Sequence, residues 1–342
     1  MSDEECIYYF FNKYKYKNKN NQDQLKETIK TKQTKKQFIS KLINFDFFMQ
    51  NEIYITNKLR KVPDYKQKFD LFDSIENTQG IHDTSVLIRY ENMGLIKFDK
   101  YISSLSCSRI YINTIIESYR HLLVTIDILF KNKIIHNNIH FETIVTNKSH
   151  TLLTDFSNAL DINKLETNKL EINKYIQPFV TTYVPNNVFK PIELHVLSYL
   201  ITNKLDSISN NNISCILDDI LKHHVILPHF GEQFVTNFKN DGTNFLQRYV
   251  NKPIPFICND ILTYYDTWDN YSLSVSYLII LIGIHKNIKH SNKFVITFMR
   301  HLLENISFNP LKRCSVETTT NKFEEMIYEI EPISYARLLN AL

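Results

Sequence analysis

Residues 134–145 read IIHNNIHFETIV and residues 152–160 read LLTDFSNAL, and these two stretches decide how the rest of the chain is read. Both alternate apolar residues with polar breaks, which predicts short strands separated by a tight loop. The polar breaks are residue types that carry chemistry: His136, Asn138 and His140, then Thr143, then Asp155. Ahead of them Ile112, Ile115, Ile116, Tyr119, Leu122, Leu123, Ile126, Leu129 and Phe130 recur at helical spacing. A long amphipathic helix over about 112–132 therefore leads into the first stretch.

Further upstream, Phe45, Phe48, Met49 and Ile53 predict a helix over Phe45–Leu59 with Glu52 in its middle. Ser85–Tyr90, SVLIRY, is short, apolar and β-branched, so it reads as a buried strand, and Phe98–Leu105 returns to a helical pattern. Downstream, Leu160–Asn187 is polar and irregular, which predicts a loop. From Glu193 onward the pattern is mainly helical, with a polar insertion at Asp206–Ser214 and its most apolar helix at Trp268–Ile284. The expected class is α+β, a small mixed region followed by a large helical one. No internal repeat interrupts that order.

The chain has 342 residues, 43% hydrophobic and 22% charged, enough to bury a core without staples. A net charge of +4 is too slight to imply a nucleic-acid or membrane partner. The lysine-rich stretch Asn12–Lys36 reads as a solvated loop or edge hairpin rather than a phosphate-binding surface. Only five glycines occur, Gly80, Gly94, Gly231, Gly242 and Gly283, no two within ten residues, so no glycine-rich phosphate loop can be drawn. The cysteines Cys6, Cys107, Cys215, Cys258 and Cys314 are scattered and odd in number, which predicts free thiols in a reducing compartment. The acidic start is unlike a signal peptide, and the longest apolar run, Tyr277–Ile284, is too short to span a bilayer, so a soluble, cytoplasmic protein is expected. His136 and His140 have H-x-x-x-H spacing, but Asn137 stands where a zinc protease needs glutamate. His223, His224 and His229 lack cysteine or acidic partners and read as surface or core residues.

The order helix, His136 loop, two short strands, Asp155-Phe156-Ser157 resembles the catalytic core of eukaryotic-type protein kinases, in which H-R-D-L-x-x-x-N precedes D-F-G. The resemblance extends over roughly residues 30–323. It implies a bilobal protein kinase fold with a reduced, β-rich amino-terminal lobe at 30–92, preceded by a basic segment at 1–29. A helical lobe would follow at 93–342, with an insertion at about 200–262. It implies that Tyr90 and Glu91 form the hinge and that Glu52 is the helix glutamate that pairs with a strand lysine. Lys36, sixteen positions before Glu52, is the candidate lysine, with Lys35, Lys32 and Lys30 as alternatives. Pro191-Ile192-Glu193 is similar to the end of the family's activation segment. Asp269, after Trp268, is similar to the buried aspartate of its central helix, and Arg313 to the late arginine. Glu193 and Arg313 are then expected to form a buried bidentate ion pair. The wording around Glu193 and Trp268 is similar to kinase homologues of large DNA viruses.

The resemblance also shows what is missing. Asn138 occupies the position of the aspartate that accepts the substrate hydroxyl's proton. Losing such a base costs about 10²–10⁴ in rate. His140 replaces the loop lysine, Thr143 the magnesium-binding asparagine and Asn137 the loop arginine. Residues 1–79 contain no glycine. Asp155 remains, either as a ligand for Mg²⁺ or as the cap of a turn. The resemblance thus implies a pseudokinase acting on a protein partner, with ATP and Mg²⁺ as cofactors only if nucleotide binding survives. The alternative is an atypical but active serine/threonine kinase acting on a protein substrate.

Overall fold

The computed structural model describes residues 38–77, 85–167, 175–287, 292–329 and 332–341, and it is an α+β protein. Lys30, Lys32, Lys35, Lys36 and the lysines of the 13–19 stretch lie outside the described residues. The chain divides into two compact units, one made of the chain up to Leu122 with Phe141–Ala159, the other of Leu123–His140 with Leu160–Leu342. The first unit therefore runs past residue 92 and takes in the segment that carries Asp155.

The first unit holds a three-stranded antiparallel sheet of β1 (Phe38–Asn44), β3 (Ser85–Glu91) and β2 (Ser74–Asn77), with β3 in the centre. Register pairs Ile39 with Tyr90, Lys41 with Ile88 and Ile43 with Val86, so these six side chains share one face. Helix α1 (Phe47–Leu59) starts where the Asp46 carboxylate accepts the Met49 N–H at 2.9 Å. Met49, Phe72, Val86 and Ile88 are buried together, with Ile43, Ile53, Ile75 and Tyr90 packed around them. A second small sheet joins β4 (Ile96–Lys97), β6 (Ile144–Thr146) and β7 (Thr151–Leu153). Phe69 bridges to Leu153, and the Asp70 N–H donates to the Leu153 carbonyl at 2.9 Å.

Helix α2 covers Phe98–Ser103 and α3 covers Ser108–Lys131, close to the expected spans. In the second unit β5 (Ile134–Ile135) pairs with β8 (Leu160–Asp161), followed by α4 (Ile162–Thr167). The loop expected over Leu160–Asn187 is thus structured at its start. Leu160, Ile162 and Leu165 are buried, and the polar residues among them hid that signal. The remaining α-helices among the described residues are α5 (Ile192–Thr202), α6 (Asn210–His223), α7 (Glu232–Leu246), α8 (Ile254–Ile261), α9 (Trp268–Asn287), α10 (Lys293–Asn305), α11 (Val316–Tyr328) and α12 (Pro332–Ala341). The polar stretch Asp206–Ser214 resolves into a capping box. Ser209 and Asn212 exchange side-chain and backbone hydrogen bonds, and α6 begins within the stretch. Helix α9 is buried on every side from Trp268 to Ile282, which is why its apolar residues show no preferred face. Among the described residues no helix is long and apolar enough to cross a membrane.

Gly242 sets how closely α7 approaches its neighbours. A Cβ there would lie 2.9 Å from Leu217 Cδ2 and from Phe308 Cδ2. Alanine would gain about 1 kcal/mol of helix propensity, yet overpacking a core costs about 1–3 kcal/mol. Gly242→Ala should therefore lower the urea midpoint of unfolding rather than raise it.

Candidate functional site

In the first unit three carboxylates and one lysine influence one another. Glu52, half-buried on α1, is pushed up to about 7, first by burial and then by the charge of Asp155, while Lys41 pulls it down and Asp70 adds to the rise. Asp70 is pushed up to about 6 by burial, against the opposing pull of Lys41 and a hydrogen bond from Thr154. The Thr154 hydroxyl reaches the Asp70 carboxylate at 3.4 Å. Tyr90 feels burial first and then the same three carboxylates, all raising its hydroxyl. The Lys41 ammonium sits 4.6 Å from the centroid of the Tyr90 ring.

Among the described residues Lys41 is the lysine whose charge acts on Glu52. It is not among the lysines the sequence put forward, which lie outside the described residues. It lies eleven positions before Glu52 on a strand whose inner face reads Ile39, Lys41, Ile43. Asp70 was not put forward either, because its place is set by the Leu153 backbone far along the chain. Lys41→Met should raise both Glu52 and Asp70 above their present values of about 7 and 6, since it removes the cation that lowers each. Carboxyl carbon NMR titration reads this directly.

Asp155 is exposed, with φ 63° and ψ 74°, a left-handed conformation that aspartate tolerates better than most residues. Its carboxylate accepts the Ser157 hydroxyl at 2.6 Å and the Ser157 N–H at 3.4 Å, so it caps the turn Phe156–Asn158. From α1, the Asn51 amide donates to the Ser157 and Ala159 carbonyls at 2.9 and 2.8 Å, which fixes that turn. Thr143 is buried, and its carbonyl accepts the Thr154 N–H at 3.0 Å. Among the described residues no group of three His, Cys, Asp or Glu is placed to hold a metal ion. Glu91 ends β3, where its N–H donates to Asp73 at 2.6 Å and its carboxylate pairs with Lys66 at 2.7 Å.

In the second unit the loop after β5 is held from α9. Asp269 is buried and accepts the His136 N–H at 2.7 Å and the Asn137 N–H at 2.8 Å. Burial pushes its carboxyl up to about 6, against those two hydrogen bonds. Asn137 adopts φ 60°, so the backbone turns sharply just before Asn138. His136 is buried, Asn138 is half-buried, and the His140 ring lies 5.7 Å from that of Phe189. The loop geometry is thus fixed by backbone contacts, while position 138 presents an amide that carries no basic oxygen at neutral pH.

The expected ion pair forms. Arg313 donates to both oxygens of Glu193, Nη1 to Oε1 at 2.8 Å and Nη2 to Oε2 at 2.7 Å, with neither side chain exposed. Its Nε donates to the Ser307 carbonyl at 2.8 Å, and the Trp268 indole donates to Glu193 at 3.2 Å. No protein-family model matches the chain, and no curated protein matches it.

Proposed function

We propose that the chain is a kinase-like protein that has lost phosphotransfer and acts by binding a protein partner, with a bilobal protein kinase fold. The observation that carries the reading is Asn138, an amide at the position of the catalytic base in a loop whose backbone Asp269 nevertheless holds. Charge supports it. Glu52, Asp70 and Asp155 act together with one lysine, Lys41, so a nucleotide phosphate at this cluster would meet no net positive charge. His140 and Thr143 replace a cation and a metal ligand in the same motif.

Phosphotransfer from labelled ATP to generic protein substrates tests this. The expected rate for the wild type is no greater than for Asp155→Ala. Turnover that disappears in Asp155→Ala would sink the proposal.

One observation favours the alternative, an atypical active serine/threonine kinase: Lys41 stands on a strand beside Glu52, as a phosphate-holding lysine requires. Phosphoryl transfer relies on positioning and charge stabilisation more than on the base. In that case ATP with Mg²⁺ would bind, and ligand at 100 times its dissociation constant would stabilise by about 2.7 kcal/mol. That moves the thermal midpoint by a few °C, and the shift would be lost in Lys41→Met and in Asp155→Ala. No shift leaves the alternative without a binding site.

A further inference from the structure

A second reactive cluster lies in the helical unit and owes nothing to the reading above. Cys314 precedes α11, Lys322 lies two turns along that helix, and Glu304 reaches across from α10. The Lys322 ammonium is 3.5 Å from the Cys314 sulfur and 2.5 Å from Glu304 Oε2, and the same oxygen is 3.6 Å from that sulfur. The three side chains therefore meet at one point. The Lys322 and Glu304 side chains are 37% and 46% exposed, so small solutes reach the cluster.

We propose that Cys314 and Lys322 form a reversible sulfur–nitrogen crosslink when the protein meets a peroxide. The chemistry needs no group beyond these three and the peroxide itself. The Cys314 sulfur attacks one peroxide oxygen, the O–O bond breaks, and a sulfenic acid and water result, with sulfur oxidised by two electrons and peroxide reduced. Sulfenic acids condense with nearby nitrogens to give sulfenamides. Here the Lys322 ammonium passes a proton to Glu304, and its lone pair attacks sulfur. The S–O bond breaks and the oxygen leaves as water, carrying the sulfenic proton and the second amine proton. The product lacks one hydrogen from the thiol and one from the amine. A thiol reductant reverses it by attacking sulfur and releasing the amine.

Position gives the crosslink a consequence. Arg313, the preceding residue, clamps Glu193, and the Cys314 carbonyl accepts the Asn270 amide at 3.1 Å. A bond from Cys314 to Lys322 would fasten this segment to α11. The resting state is slow to react, because burial raises the Cys314 thiol, although Lys322 draws it back, and the hydrogen bond to Glu304 raises Lys322. The rate should therefore climb with pH from 7 to 9.

The test is peptide mass spectrometry of the full chain after peroxide treatment. Trypsin normally cuts after Arg313 and after Lys322. The expected product is a single peptide, Cys314–Arg337, uncut at Lys322 and about 2 Da lighter than its reduced counterpart. Dithiothreitol should restore cleavage. The product should be absent in Cys314→Ser and in Lys322→Arg, and Glu304→Gln should slow its formation while leaving the fold intact. Oxygen adducts at Cys314 with normal cleavage after Lys322 overturn the proposal, as does a bridge that retains an oxygen atom.

Discussion

Arg313→Met is expected to destabilise the fold by about 3–5 kcal/mol, because it strands a charged carboxylate away from water. The guanidinium meets Glu193 with two hydrogen bonds, the Thr267 hydroxyl at 3.1 Å and the Ser307 carbonyl, and its carbon lies 5.0 Å from the centroid of the Tyr271 ring. Four of its donor contacts go unreplaced in methionine. Glu193, whose side chain is fully buried, would keep only the Trp268 indole among these partners. Arg313→Lys should also be costly, since an ammonium cannot reproduce the planar fork.

The double variant Glu193→Leu with Arg313→Met should be less destabilised than Arg313→Met alone. It removes both charges, and such replacements of buried pairs are often neutral. Guanidinium unfolding followed by circular dichroism separates the cases. A single variant within about 1 kcal/mol of wild type would mean that water enters the pair and screens it, as at exposed sites.

These residues also show where sequence reading reached and where it stopped. Helix α9 was legible because a run that is apolar all round has nowhere to go but the core. The Glu193–Arg313 pair spans 120 positions and has no local signature, so it was foreseen only through the family resemblance. Lys41 was not put forward, for a physical reason. Its strand places isoleucine and lysine on the inner face while Phe38 and Leu42 occupy the outer one, so apolar residues fall on both faces and the alternation that marks a strand is blurred. Asp70 and the buried histidines of the helical unit owe their surroundings to segments distant in sequence, and composition carries no trace of that.

Those histidines carry the second large effect, a loss of stability in mild acid. His195 on α5 and His224 after α6 are both buried, and of the two only His224 is singled out in the sequence, as a surface or core residue. Burial, and then the neighbouring charge of Lys190, pushes His195 down to about 4. Burial, and then His195, pushes His224 down to about 3. Unfolded histidine takes a proton near pH 6.5. The unfolded chain therefore binds these protons first as pH falls, and the stability present above about 6.5 is lost progressively toward 4 and below. Each histidine contributes about 1.4 kcal/mol per pH unit across that window. Asp269 acts in the opposite sense, because its carboxyl, at about 6 in the fold, takes up a proton before the unfolded aspartate does. A variant isolates the histidine part. The His224 ring accepts the Ile226 and Leu227 N–H groups at 3.3 and 3.4 Å, and His224→Asn keeps an acceptor there without a titrating group. Between pH 7 and 5 the wild type should lose about 2 kcal/mol more than His224→Asn. Denaturant midpoints at the two pH values, read by the fluorescence of Trp268, the only tryptophan in the chain, measure the difference. Equal losses in the two proteins would mean that His224 is solvated or paired with an anion, and that the acid sensitivity has another source.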